Sequence, residues 1–239
     1  MTIMSKIKKN KDIHAVLDIG NSKVSCLIGT IDKDNQQKAK VLGFGQHVSQ
    51  GMMGGKITNM KEIANSIARA VEGAETMYGF SINRVTCNIS GGRPITKIFR
   101  NEMKIENEQI SKNDLTKLQK GNLPKKIDNY KLLSSSVIKY YVDDYTPVDN
   151  PIGLSAQKLI LDMSYTYAQD SVLKNISNAI DLCHLKVDKV IITPEASGIA
   201  SSLQDEKNNG VIVIDLGGHL TSIGIFKNNN LIFSDTIPI

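Results

Sequence analysis

The sequence contains no tryptophan, and five Phe with seven Tyr hold its aromatics to 5% of 239 residues. So thin a supply argues against a platform on which single-stranded nucleic acid would stack. Only three cysteines occur, Cys26, Cys87 and Cys183, odd in number and far apart. With no C-x-x-C and no Cys/His ligand spacing, neither a disulfide framework nor a zinc site follows, and reduced thiols are expected. Two of the three sit in apolar strand-like runs, where Cys serves as a small core residue. No run of about 18 or more apolar residues exists, so no helical membrane span is expected. The opening M-T-I-M-S-K-I-K-K-N lacks the long apolar stretch of a secretory signal. Ile3, Met4 and Ile7 make too short a face for an interfacial helix, and the segment reads as a frayed leader.

Charge of one sign is also scarce. The net +5 comes from 29 Lys+Arg against 24 Asp+Glu. Lys6, Lys8, Lys9 and Lys11 crowd the first dozen residues, which leaves the remainder nearly balanced and without a basic stripe for nucleic acid.

What is present is an α/β alternation. Ala15–Thr30 reads as two strands around a turn at Gly20-Asn21-Ser22, and Val41–Val48 as a further strand weakened by Gly43 and Gly45. The cluster G-M-M-G-G, Gly51 to Gly55, is a loop. Ile57, Met60, Ile63, Ala64, Ile67, Ala68 and Val71 recur at helical spacing, with Gly73 or Gly79 as the stop. Val85–Ser90 is the next strand.

The texture breaks at Gly91-Gly92-Arg93-Pro94. Strands are expected at 95–105, 137–142 and 158–165, with a short helix opened by a Ser111/Asp114 capping box. The alternation then resumes: a helix carrying Val172, Leu173, Ile176, Ala179, Ile180 and Cys183, a strand at 187–193, a helix from Pro194, and a polar linker over 204–210. Strands follow from Val211 and at 231–237. The abrupt stop after Ile-Pro-Ile reads as the end of a fragment.

One pattern occurs twice. A-V-L-D-I-G-N-S-K-V and V-I-V-I-D-L-G-G-H-L-T each run along an apolar strand to an Asp and then into a glycine-bearing turn. A single D-x-G turn is commonplace. Two invite a different account, because glycine permits close approach and consecutive N–H groups in a turn can hold an anion. Facing carboxylates would repel unless a cation lay between them. Mg²⁺, which keeps several waters, with a polyphosphate would resolve that conflict. The expected ligand is therefore a Mg-nucleotide whose phosphates lie between the turns, with Asp18 and Asp215 holding the metal through water. No Walker-type G-x-x-x-x-G-K-[ST] and no helix-opening G-x-G-x-x-G occurs. Glu195, at the start of the helix after the 187–193 strand, is a candidate to orient an attacking water, or else an acid suited to a helix N-terminus.

The paired D-[IL]-G turns resemble the phosphate motifs of the actin/Hsp70 superfamily, and T-P-E-A-S-G-I-A-S resembles its connecting helix. Within it the chain resembles the FtsA family of bacterial division proteins. The resemblance rests on L-D-I-G-N-S-K-V, N-I-S-G-G-R-P, N-P-I-G-L-S-A, C-H-L-K-V and I-D-L-G-G, and covers nearly the whole chain. It implies an actin-like ATPase (ribonuclease H-like) α/β fold with an inserted small α+β module. Residues 1–89 and 168–203 would form subdomain 1A, 90–167 the inserted subdomain 1C, and 204–239 the start of subdomain 2A. Gly20, Asn21, Ser22 and Lys23 would meet phosphate on one side, and Gly217, Gly218 and Thr221 on the other.

The implied protein binds ATP and Mg²⁺, is at most a weak ATPase, self-associates into filaments and recruits later division proteins. It links FtsZ to the inner membrane from the cytoplasmic face through a C-terminal helix that this sequence lacks. No nucleic acid partner is implied. Two departures stand out: His219 replaces a glycine of the second turn, and Leu220 replaces a threonine, so weakened phosphate binding is expected. A sugar- or acetate-kinase-like phosphotransferase of the same superfamily is the alternative. It would need an acidic base for a substrate hydroxyl, for which Glu195 alone is available. The position of the inserted module argues against an Hsp70-like chaperone.

Overall fold

The computed structural model describes residues 13–31, 39–121, 127–143 and 146–239. The leader with Ile3, Met4 and Ile7 lies outside the described residues. Strands β1 (Ile13–Ile19), β2 (Lys23–Ile31) and β3 (Ala39–Val48) come first, followed by the short β4 (Met52–Met53) and β5 (Lys56–Ile57), helix α1 (Met60–Tyr78) and β6 (Arg84–Ile89). Then come β7 (Ile95–Lys104), α2 (Lys112–Lys120), β8 (Tyr130–Val142), β9 (Thr146–Val148) and β10 (Lys158–Gln169). The remaining elements are α3 (Asp170–Asp181), β11 (Lys186–Ile192), α4 (Thr193–Ser201), α5 (Gln204–Asn209), β12 (Val211–Leu216), β13 (Leu220–Lys227) and β14 (Asn230–Pro238).

The chain forms two compact units. The first holds the described residues up to Ile89, Lys174–Ile191 and Gly217–His219; the second holds Ser90–Leu173, Ile192–Leu216 and Leu220–Ile239.

In the first unit a five-stranded sheet has the order β11-β6-β1-β2-β3. Strand β1 runs antiparallel to β2 and parallel to β6. Alternation explains the buried face: Ala15, Leu17 and Ile19 on β1, Val24, Cys26 and Ile28 on β2, and Val85, Cys87 and Ile89 on β6 all point inward. Helix α1 buries Ile63, Ile67, Ala70, Val71 and Ala74 at helical spacing. It starts at Asn59, whose side chain accepts from the Lys61 and Glu62 N–H groups at 3.1 and 3.3 Å. It ends at Gly79 in the left-handed conformation (φ 88°), not at Gly73.

The glycines expected to weaken β3 instead let α1 lie directly on it. A Cβ at Gly45 would overlap the Ala70 carbonyl, one at Gly43 the Ala74 carbonyl, and one at Gly73 would stand 3.2 Å from the Gly45 Cα.

In the second unit β7, β10, β8 and β9 form an antiparallel sheet in that order. Its core gathers Leu159, Leu161, Met163, Tyr165 and Tyr167 of β10 with Ile110, Leu118 and Tyr140. The Ser111/Asp114 capping box opens α2 with both reciprocal bonds made. A second antiparallel sheet of this unit has the order β12-β13-β14. Helix α4 rests on it so closely that a Cβ at Gly198 would enter the Phe226 ring. Ser164 donates to the Leu231 carbonyl at 2.5 Å, and the Thr96 and Ser234 hydroxyls share a bond of 2.8 Å.

Three local expectations are corrected. The polar 204–210 stretch is helical as α5, because Glu206 reaches back to accept the Leu203 N–H at 2.8 Å. The G-M-M-G-G loop carries the small β4–β5 ladder. Strand β8 begins at Tyr130, before the apolar run that marked it, because it pairs with β10 along that whole length.

Candidate functional site

The two acidic hairpins share one register. Asp18 pairs with Ser25 and Asp215 with Ser222, each a separation of seven residues (25 − 18; 222 − 215). The last pairs before the turns are Ile19–Val24 and Leu216–Thr221, so each turn holds four residues (20–23; 217–220).

The first turn is braced from outside. The Gly20 N–H donates to the Lys23 carbonyl at 3.0 Å, and a Cβ at Gly20 would come within 3.1 Å of that oxygen. Asn21 Oδ1 accepts from the Gly55 N–H at 3.0 Å, and the Ser22 carbonyl accepts from the Ser49 N–H at 3.0 Å. These bonds consume the Asn21 carbonyl oxygen and the turn's backbone acceptor, while the Ser22 and Lys23 side chains remain exposed. Asn21 thus serves the turn through Gly55.

Of the second turn, Gly217–His219 belong to the same compact unit as the first turn and are exposed. Gly218 lies close against Ser22: an added Cβ would stand 2.1 Å from Ser22 Oγ, so a side chain fits only if that hydroxyl turns away. Gly20, Gly217, Gly218 and His219 all lack positive φ. His219 thus carries no backbone strain, and it is close approach rather than backbone freedom that favours glycine at 218. Leu220 is buried, so its side chain faces the sheet's covered side rather than the turn.

Asp18 is exposed at the end of β1 and Asp215 half-buried at the end of β12. Asn88 on β6 donates from Nδ2 to Asp18 Oδ1 at 2.8 Å, while its Oδ1 accepts the Ile19 N–H at 3.2 Å. Ser197 on α4 donates from Oγ to Asp215 Oδ2 at 2.5 Å. Among the described residues no Lys or Arg forms an ion pair with either carboxylate. Glu195 stands half-buried in the first turn of α4, directly after Pro194, where its charge suits the helix N-terminus. Thr221 pairs with Leu216, so its side chain takes the hairpin face opposite to Asp215 and Ser222.

Asn88 and Ser197 escape sequence reasoning. Asn88 reaches Asp18 across 70 residues, because β1 and β6 run in parallel with Leu17 opposite Cys87. Ser197 lies two residues past Glu195, about 200° further round a helix, so the acid that draws attention is not the residue that meets Asp215. Among the described residues no cluster of three or more His, Cys, Asp or Glu is arranged to hold a metal. Each carboxylate, within its own unit, is of the kind that can hold a hydrated Mg²⁺ through its waters.

No family model matches the chain. Among solved structures it is similar to a chain of the PilM-PilN type IV pilus biogenesis complex, with TM-score 0.63 and 12% identity, covering 94% of this chain and 61% of that one. It is also similar to ethanolamine utilization protein EutJ from Carboxydothermus hydrogenoformans, with TM-score 0.52 and 10% identity, covering 95% and 52%. The fold is that of the actin-like ATPases.

In sequence the chain is 32% identical over 228 residues to the cell division protein FtsA of Neisseria meningitidis serogroup B, covering 94% of this chain and 54% of that protein. It is 28% identical to FtsA of Pseudomonas aeruginosa, covering 99% and 56%, and 24% identical to FtsA of Bacillus subtilis, covering 96% and 52%. The chain is thus similar to the FtsA cell division proteins and spans about half the length of the curated relatives it matches.

Proposed function

We propose that this chain is the nucleotide-binding portion of an actin-like bacterial cell division protein, with Mg-ATP as its ligand. One observation carries the reading: two acidic hairpins of identical register have turns that meet at Ser22 and Gly218. Repetition of a carboxylate-bearing turn, with the Ser22 side chain of one close against Gly218 of the other, suits a polyphosphate and its metal.

Asp18 and Asp215 are assigned to Mg²⁺ through its waters. Gly20, Asn21, Ser22 and Lys23 take phosphate from the first turn. Gly217 and Gly218 take it from the second, with Thr221 at the start of β13. Glu195 is assigned to orienting water in a slow hydrolysis, so that the nucleotide serves assembly more than turnover. Residues 1–89 with 168–203, the inserted 90–167 and the terminal 204–239 are assigned to subdomains 1A, 1C and the start of 2A. In the whole protein this portion works within an adaptor that self-associates, links FtsZ filaments to the cytoplasmic face of the inner membrane and recruits later division proteins.

The test is titration of Mg-ATP into the complete natural protein and its Asp18→Ala variant. The expected result is a tenfold or greater loss of affinity with the secondary-structure signal retained. Equal affinity in the two proteins, or no binding to the unaltered one, would overturn the assignment.

A further inference from the structure

The two hairpin carboxylates are each held by an uncharged donor, and nothing on the hairpins themselves supplies it. Asn88 uses both ends of its amide. Because its Oδ1 accepts the Ile19 N–H, its NH₂ must face Asp18. A flipped amide would set N–H against N–H and oxygen against carboxylate, so the strand fixes the orientation. Ser197 does the corresponding work for Asp215 from α4.

Elsewhere the chain holds a carboxylate differently. Asp162 is gripped by both Nε and Nη2 of Arg100 at 2.7 Å, and Asp149 accepts from Lys139 at 2.6 Å. A cationic grip orients a carboxylate but cancels its charge. A neutral grip orients it and leaves the charge in place. Asp18 Oδ2 and Asp215 Oδ1 make no hydrogen bond among the described residues, so each carboxylate keeps one acceptor open.

We propose that Asn88 and Ser197 are positioning residues for a divalent cation: each fixes one carboxylate oxygen so that the other presents an undiminished charge to the ion's waters. The proposal rests on the nucleotide-site reading above. Partners one step removed from a metal set its affinity, typically by ten- to a hundredfold.

The experiment uses the complete natural protein and a fluorescent ATP analogue. Mg²⁺ is titrated at fixed analogue, and analogue affinity is also measured in EDTA. For Asn88→Ala the Mg²⁺ midpoint is expected to rise about tenfold or more, with affinity in EDTA unchanged. Ser197→Ala should behave likewise, and Ser197→Thr, which keeps the hydroxyl, should restore the midpoint. Asn88→Ala also strips a partner from the Ile19 N–H. If that variant fails to fold, the Ser197 pair decides.

An unaltered protein that ignores Mg²⁺ would overturn the nucleotide-site reading itself. A Mg²⁺-dependent unaltered protein with unmoved midpoints in the alanine variants would overturn this inference alone. So would an equal loss of affinity with and without Mg²⁺, which marks a merely structural role.

Discussion

Gly218 approaches Ser22 so closely that the methyl group of an alanine would stand 2.1 Å from Ser22 Oγ and 3.5 Å from its Cβ. The obstruction is thus a single rotatable hydroxyl, and turning χ1 of Ser22 relieves it. Gly218→Ala should accordingly cost little stability, at most about 1 kcal/mol in urea unfolding. It should nonetheless weaken Mg-ATP binding, because the hydroxyl has been turned from the second hairpin. In a Ser22→Ala background the same change should have almost no further effect on affinity. Additive losses in the double variant would show that the two turns do not act together.

Gly45 meets backbone instead, and backbone has no rotamer to offer. An alanine there would overlap the Ala70 carbonyl and sit 2.6 Å from the Ala74 N, with the α1 glycine, Gly73, also adjacent. Helix and strand must separate, which costs roughly 1–3 kcal/mol or more. Gly54→Ala provides the contrast: nothing lies within 4 Å of its Cβ position and only its φ of 54° is unfavourable. It should cost about 1–2 kcal/mol from that alone. Urea midpoints read at constant slope distinguish the two. A Gly45→Ala protein no less stable than Gly54→Ala would contradict the packing of α1 on β3.

How much of this was legible beforehand follows the reach of each interaction. The hairpins, the capping box at Ser111 and the apolar face of α1 are local, so spacing along the sequence carries them, although Ile57, counted with that face, lies in β5 and the Asn59 cap was not read. Asp18 and Asp215 were readable because a repeat is visible without knowing the fold. The resemblance to known division proteins supplied the fold class. Asn88 was not readable as a partner of Asp18, since that contact exists only once β1 and β6 lie side by side. The glycines of β3 were misjudged for the same reason. A glycine weakens an isolated strand, and only the helix above it turns the missing side chain into an advantage.

The capping box makes an acid-sensitive contribution. Bonds from the Ser111 side chain and backbone hold the Asp114 carboxyl below its ordinary range. A depressed folded value means that the stabilisation is complete above the unfolded value near 3.8 and disappears as pH falls through the folded one. Ser111→Ala should cost about 1 kcal/mol at pH 7 and markedly less near pH 2. Urea unfolding of the two proteins at both pH values gives the comparison. A gap that stays constant with acid would mean that the Asp114 charge is not part of the cap.

The alkaline side is governed by the thiols that flank β1. Leu17 pairs with Cys26 on one side and Cys87 on the other, and all three are fully buried. Burial pushes the Cys87 thiol up to about 12, and burial with the nearby Glu75 carboxylate pushes Cys26 up to about 11, from an ordinary value of 9.0. In the unfolded chain both lose their protons near pH 9, while the native state holds them. Between those values the unfolded state binds fewer protons, so stability falls as pH rises, by up to about 1.4 kcal/mol per pH unit for a thiol as buried as Cys87. Lysines and tyrosines titrate in the same region, so the informative quantity is a difference. Between pH 9 and 10.5, Cys87→Ala should lose stability less steeply than the unaltered protein, whatever it loses at pH 7 through its cavity. Thiol-reactive dye should correspondingly label Cys26 and Cys87 at neutral pH only as fast as the chain opens. Immediate labelling of both in the native protein, or parallel pH slopes in the two proteins, would place these thiols outside the core.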